Sequence, residues 1–279
     1  MKTMSKQITT AALLALGIGF SGAAFAQSTW DLSTSSCDPY GQPPGAAGCT
    51  VGGVTATVTA WGNGGSAGQF VAATITDQST SGVGVTSSYG GKTEYTGDNK
   101  NHAIDNYGGP RNSSTSYGAY TELLMVGFSE ATRLDGLSIG WRSGDADISV
   151  LRWTGEDPPD LTKMTSTGTG GLIAKGWELV SSYDLYSSYS TSVSSAGYSS
   201  WWLISAYFGN STTTSKGTDL DTGDDFFKLK TFSGTGCKTT NSCGGGGGGG
   251  SVPEPGTLAL AGLALAGIVG AKRRRARTA

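Results

Sequence analysis

The residues best suited to chemistry form one acidic run, Asp219-Leu-Asp-Thr-Gly-Asp-Asp225, with four carboxylates around a glycine. Hard oxygen ligands on a tight loop suit calcium. Asp219, Asp221, Asp224 and Asp225 are therefore the calcium candidates, with Asp145 and Asp147 as a second pair. The run lacks EF-hand spacing and the terminal glutamate, and a solvated acidic turn before the apolar stretch at Phe226 gives the same pattern. The expectation is a protein without a cofactor, calcium being the one candidate.

Catalytic machinery is harder to find. The sole histidine, His102, stands near Asp105 and reads as a loop hydrogen-bonding residue rather than a general base. Serines abound, but no Gly-x-Ser-x-Gly elbow sits in a strand-to-helix context. Glu94, Glu122, Glu130, Glu156 and Glu178 supply carboxylates, yet nothing pairs two of them for glycoside hydrolysis. Glu122 and Glu178 are expected to be solvated where they flank strands. No catalytic residue is expected.

Four cysteines fall into two local pairs, Cys37 with Cys49 and Cys237 with Cys243. Three connectivities are possible. Local pairing is expected, whereas Cys37 with Cys243 would tie the domain's ends together. The spacings do not suit a zinc knuckle. Tryptophans 61, 141, 153, 177, 201 and 202 could stack on sugar rings, but large indoles dominate β-rich cores, so most are expected inside. Adjacent Trp201 and Trp202 must face opposite ways in a strand.

Strand signals position these residues. Val54 to Trp61 alternates strictly. Phe70–Thr76 and Val83–Ser87 are weaker. Glu122–Phe128 is apolar on both faces and reads as a central strand. Leu137–Arg142, Asp147–Trp153, Trp177–Val180, Trp201–Phe208 and Phe226–Phe232 follow, giving about nine or ten strands. Turns are expected at Ser129–Arg133 and Ser143–Asp145, a helical turn near Leu172–Lys175, and a loop-rich cap over Trp30–Gly48. Long helical patterns are absent. The fold class is all-β: an antiparallel β-sandwich, jelly-roll-like. Ser181–Ser200 is a Ser/Tyr-rich low-complexity segment. Gly244–Gly250 is seven glycines, a flexible tether.

Both ends of the chain carry targeting features. Lys2 and Lys6, the apolar Ala11–Phe20 and Ala24-Phe25-Ala26 make a secretory signal peptide over 1–26, cleaved before Gln27. The domain then spans 27–243, the Gly-rich linker 244–252 and the sorting signal 253–279. Within that signal, Pro253-Glu254-Pro255 precedes an uncharged apolar run, 256–271, and a basic tail, 272–279. A spanning helix needs roughly 20 apolar residues, with a lower limit near 17. The run is short for a permanent anchor and suits transient membrane contact. Lys272, Arg273, Arg274 and Arg275 act as a topology stop, since basic residues beside a span resist export. Two prolines with fixed φ keep the tripeptide extended at the membrane surface, in the form a processing enzyme can thread.

Removing both ends changes the charge. Lys2, Lys6, Lys272–Arg275 and Arg277 belong to the 19 basic residues, and Glu254 to the 21 acidic ones, so the mature body carries 12 against 20, a net charge of −8. An acidic body argues against a nucleic-acid partner.

The ordered Val252–Pro255 motif, Ala/Leu/Gly span and terminal arginines resemble the PEP-CTERM sorting signal. The body resembles that of other exosortase-dependent surface proteins at Asn101–Asn106, Leu123–Phe128, Leu137–Gly155, Leu172–Leu179 and Asp224–Leu229. The resemblance implies export across the inner membrane of a Gram-negative cell. It implies signal peptidase and an exosortase as partners, and a place at the cell surface or in the exopolysaccharide matrix of a biofilm. The functional expectation is a non-catalytic surface or matrix protein. The alternative is a carbohydrate-binding module on the same fold, and a third option, a secreted hydrolase, requires two close carboxylates in a cleft.

Overall fold

The computed structural model describes residues 27–35, 37, 39, 48–77, 79–89, 92–93, 102–106, 109–111, 116–118, 121–144, 146–194, 197–209, 214–216, 220 and 225–237. The expected signal peptide, tether, sorting tripeptide, apolar span and basic tail lie outside them. Among the described residues no helix is long and apolar enough to cross a membrane.

The body is all-β. Its strands are β1 (Ser28–Asp31), β2 (Gly48–Val51), β3 (Val54–Gly62), β4 (Val71–Asp77), β5 (Val83–Thr86), β6 (Ser88–Tyr89), β7 (Lys92–Thr93), β8 (Ile104–Asp105) and β9 (Gly109–Arg111). There follow β10 (Ser116–Gly118), β11 (Glu122–Arg142), β12 (Asp147–Trp153), β13 (Trp177–Asp184), β14 (Ser190–Ser192), β15 (Ser199–Ala206), β16 (Thr214–Lys216) and β17 (Phe226–Gly236). Thirteen strands share one sheet, antiparallel except where β13 meets β16. Ladders β3–β11, β11–β17, β17–β5, β5–β4 and β4–β3 close a circuit within it. The sheet thus bends round its own core.

The bend is made by β11, 21 residues long. Its first half pairs with β3 and β15, and its second half with β17 and β14. The sequence pattern predicts two strands and a turn at Ser129–Arg133, whereas the backbone runs through in extended form. Register shifts between Gly127 and Thr132, and between Leu134 and Gly136, replace the turn with bulges, which bend a strand and raise its twist. Trp202 closes the first: its Nε1–H donates to Thr132 O at 3.0 Å and Ser199 O at 3.2 Å.

Alternation decides what is buried. Along β3, Val54, Ala56, Val58 and Ala60 point into the main core, and the intervening residues, half-buried, point to the other face, where Trp61 packs against a second cluster. That core also holds Trp30, Phe128 and Phe232, with ring centroids 5.1–5.9 Å apart. Glu122–Phe128 is buried on both faces, as its sequence predicts: Leu124 and Val126 join the main core, and Leu123 and Met125 the second cluster with Leu151, Leu203 and Trp177. Leu161, Met164 and Leu172, from the loop after β12, cover that cluster. The loop carries 3₁₀ turns at Leu161–Lys163 and Ile173–Lys175, the latter where a helical turn is expected.

Two expectations need correction. The Trp30–Gly48 cap is bounded by strands at both ends: β1 inserts Trp30, fully buried, and β2 begins at Gly48. Four-residue strands are too short to show a period. Ser181–Ser200 likewise contains the end of β13, all of β14 and the start of β15. Ser181, Ser182, Ser190, Ser192, Ser199 and Ser200 are strand residues because partner strands supply the pairing that their own sequence does not announce.

Candidate functional site

The body's two ends lie side by side. β1 pairs with the end of β17, Ser28 opposite Gly234 and Thr29 opposite Ser233. The Gln27 amide donates to Ser233 Oγ at 3.1 Å, and Cys237 N–H donates to Ala131 O at 2.8 Å. The expected signal-peptide junction and the exit toward the sorting tail therefore share one pole. β17, of 11 residues, carries the chain from the opposite pole, a run of about 35 Å at strand rise.

At that far pole, polar residues are engaged in the fold. Of the calcium candidates, Asp219, Asp221 and Asp224 lie outside the described residues, as does Asp145. Asp225 is fully buried: its Oδ1 accepts from Asp147 N–H at 2.7 Å and its Oδ2 from the Asn106 amide. Asp147 is also fully buried, at the start of β12. Among the described residues no group of three or more His, Cys, Asp or Glu is placed to hold a metal ion.

The catalytic candidates disperse. His102 Nδ1 lies 3.5 Å from Thr86 Oγ1, a loop-to-strand contact. Glu178 is half-exposed and pairs with Arg152, as expected of a strand-flanking residue. Glu122 is instead fully buried, because both faces of β11 are covered where it begins. Exposed Asp160 is held below its usual carboxyl range by Lys163, at 2.7 Å, and by Thr162.

Cys37 and Cys49 form the expected disulfide. Cys237 is disulfide-bonded; Cys243, its expected partner, lies outside the described residues. Trp202 is fully buried in the main core and Trp201 half-buried on the opposite face, the division that strand geometry predicts. Trp177 is buried against Trp153, with centroids 5.2 Å apart and planes inclined by 56°. Trp61, Trp141 and Trp153 are half-buried.

The feature that sequence reasoning missed lies near the pole where the ends meet. Register puts β1, β17, β11 and β14 side by side. Thr29, Ser233, Gly136 and Ser192 form one row across the four strands; Asp31, Thr231, Ser138 and Ser190 form another. Between these rows, Trp30, Phe232 and Leu137 point into the core. The opposite face is thus tiled with hydroxyls and forms a groove of about 450 Å³. Ser138 Oγ and Thr231 Oγ1 lie 2.6 Å apart. Asp135, also lining the groove, accepts from Arg133 Nε at 2.6 Å and Thr235 Oγ1 at 2.5 Å, and its hydrogen bond raises the Arg133 pKa further. The only sequence signal was the abundance of Ser and Thr; which of them share a face depends on pairings between residues roughly fifty to two hundred positions apart.

An all-β body whose ends share one pole, continued by a Pro-Glu-Pro tripeptide, an apolar run and arginines, has the layout of a protein sorted at a membrane. Residues 251–275 match the family model of the PEP-CTERM protein-sorting motif. The chain thus ends in the signal of secreted surface proteins that an exosortase processes. The match does not extend into the body, and neither a curated protein nor a solved structure matches the chain.

Proposed function

We propose that this protein is a non-catalytic component of the cell surface or of the exopolysaccharide matrix of a biofilm. It is exported, cut after Ala26 by signal peptidase, held for a time by its 256–271 span and then processed by an exosortase. The observation that carries this reading is the sorting motif at residues 251–275. In this reading Pro253, Glu254 and Pro255 are the recognised handle, and Lys272–Arg275 keep the extreme C-terminus inside. The bent sheet acts as a sandwich that presents its outer faces.

The arrangement of the ends supports the order of events. Because Gln27 and Cys237 leave the same pole, the body docks one pole toward the membrane whichever end still holds it. Residues 238–250, at most roughly 45 Å when extended, give the exosortase room to reach the tripeptide without meeting the folded sheet. The body works without a cofactor. Its acidic balance keeps it apart from nucleic acid and favours solubility outside the cell.

The test is the intact mass of the exported form. A species that begins at Gln27 and lacks Arg273–Arg275 is expected. An extracellular species retaining those arginines overturns the reading. Replacing Pro253 and Pro255 with Ala is expected to leave the protein in the membrane fraction, and unchanged release counts against the assignment.

A further inference from the structure

We propose that the hydroxyl-tiled groove on the outer face of β1, β17, β11 and β14 binds an uncharged polysaccharide chain. This deepens the surface-protein reading above and rests on it for access to such polymers.

The groove's chemistry narrows the ligand. Serine and threonine hydroxyls both donate and accept, which matches sugar hydroxyls and gives little to a lipid. Ser138, Thr231, Ser233 and Thr29 are aligned by the ladders, so their positions are set before any ligand arrives. Two carboxylates flank the hydroxyls: Asp135, paired with Arg133, and Asp31, at the β1 end of the second row, which accepts from Ser33 Oγ at 2.6 Å, so the face disfavours an anionic ligand. The backbones of β17 and the central part of β11 are committed to neighbours on both sides, which leaves their amides closed to strand addition by a peptide. Gly136 opens the middle of the floor: a Cβ there would lie 3.1 Å from Ser233 Oγ.

The second observation is aromatic. Tyr186 and Tyr189 are 61% and 53% exposed. Tyr189 precedes groove-lining Ser190, and its carbonyl accepts from Ile139 N–H, beside groove-lining Ser138. The Arg142 guanidinium lies 5.0 Å from the Tyr186 ring centroid and 5.5 Å from that of Tyr189, so one cation holds both rings together, next in the chain to groove-lining Ser190. Exposed tyrosines supply flat apolar area at low entropic cost, and the apolar face of a sugar ring fits such a surface. Hydroxyl rows and aromatic faces together serve both sides of a pyranose.

The experiment is native affinity electrophoresis of the exported protein in gels containing hydroxyethyl cellulose, soluble starch, dextran, galactomannan or alginate. At least one neutral polymer is expected to slow migration, with alginate ineffective. Thr231→Val and Tyr189→Ala are each expected to raise the polymer concentration needed about tenfold, the loss of one hydrogen bond or one stacking contact, at unchanged melting temperature. Tyr189 is exposed, so its variant tests binding even where Thr231→Val folds poorly. Three results overturn the proposal: no slowing by any neutral polymer, slowing by alginate alone, or equal slowing of wild type and Tyr189→Ala. Each leaves the export reading intact if the intact mass shows both ends processed, and an unprocessed tail overturns that reading whatever the gels show.

Discussion

The Asp225 carboxylate accepts a hydrogen bond from the backbone N–H of Asp147 at 2.7 Å, tying the start of β17 to the start of β12. Asn106 completes the arrangement. Its amide donates to Asp225 and to Tyr207 O, the latter at 2.8 Å, while its own Oδ1 accepts from Asp225 N–H at 3.2 Å. Tyr207 N–H returns to Asp147 O at 3.0 Å. Four chain segments are thereby fixed at the pole opposite the two ends, and the acidic run's last residue serves the fold.

Asp225→Asn is expected to destabilise the body by about 1–3 kcal/mol. An amide at this position keeps an acceptor for Asp147 N–H but turns an NH₂ group toward the Asn106 amide, two donors facing each other in a buried site. Urea unfolding of the exported protein checks this. A midpoint equal to wild type would show that Asn106 adapts and that the carboxylate is dispensable.

The mature protein is expected to show no reactive thiol under denaturing, non-reducing conditions, because Cys37 and Cys49 are joined and Cys237 is disulfide-bonded. Replacing both Cys37 and Cys49 with Ala reopens a short loop and is expected to cost about 2–3 kcal/mol. That loop ties β1 to β2, whose Cys49 carbonyl accepts from Trp30 Nε1–H at 3.1 Å, so quenching of Trp30 should rise in the variant. Two reactive thiols in the wild-type protein would contradict the pairing.

Gly84→Ala is expected to cost at least about 2 kcal/mol, although its backbone is ordinary strand. A Cβ at Gly84 would lie 1.6 Å from His102 O, a backbone atom that a rotamer change cannot move. The segment from His102 to Asn106 must shift, and with it the Asn106 contact to Asp225. Thermal melting with faster amide exchange at Ile104 is the measurement, since β8 pairs there with Phe227.

Alkaline unfolding should carry a signature of Tyr183. The residue is 2% exposed, and burial pushes its phenol above the usual value near 10, with Ser181 and Ser194 opposing the shift in part. In the unfolded chain the phenol releases its proton first. From about pH 10 up to the raised folded value, the unfolded state therefore holds fewer protons than the native state, and stability falls as pH rises. Tyr183→Phe removes that contribution, so its stability curve should be flatter than wild type above about pH 10. Parallel curves would place the phenol in contact with solvent.

Local pattern alone was enough for several features. The strict alternation of Val54 to Trp61 identified β3 and its buried face, because period two is a property of the strand and needs no partner. The double-sided apolar run Glu122–Phe128 announced a strand covered on both faces. The adjacency of Trp201 and Trp202 required them to face opposite ways, one of them into the core. The cysteine spacing favoured Cys37 with Cys49, and the tripeptide with its span and arginines spelled out the sorting signal, since enzymes of export read the chain as a linear peptide.

Other features were decided only when distant segments met. Polar Ser129–Arg133 looks like a turn until Trp202, some seventy residues away, caps the carbonyl of a bulge. Glu122 looks solvated until β15 and the loop after β12 cover its strand. Asp225 reads from sequence as one more carboxylate of an acidic loop; its hydrogen bonds with Asn106 and Asp147 come only with the fold. The hydroxyl groove draws on residues from Thr29 to Ser233, and a one-residue slip in any of its ladders would turn those hydroxyls into the core. A strand's own period says which residues share its faces; only the partner strands say which face becomes core and which is left to meet the outside.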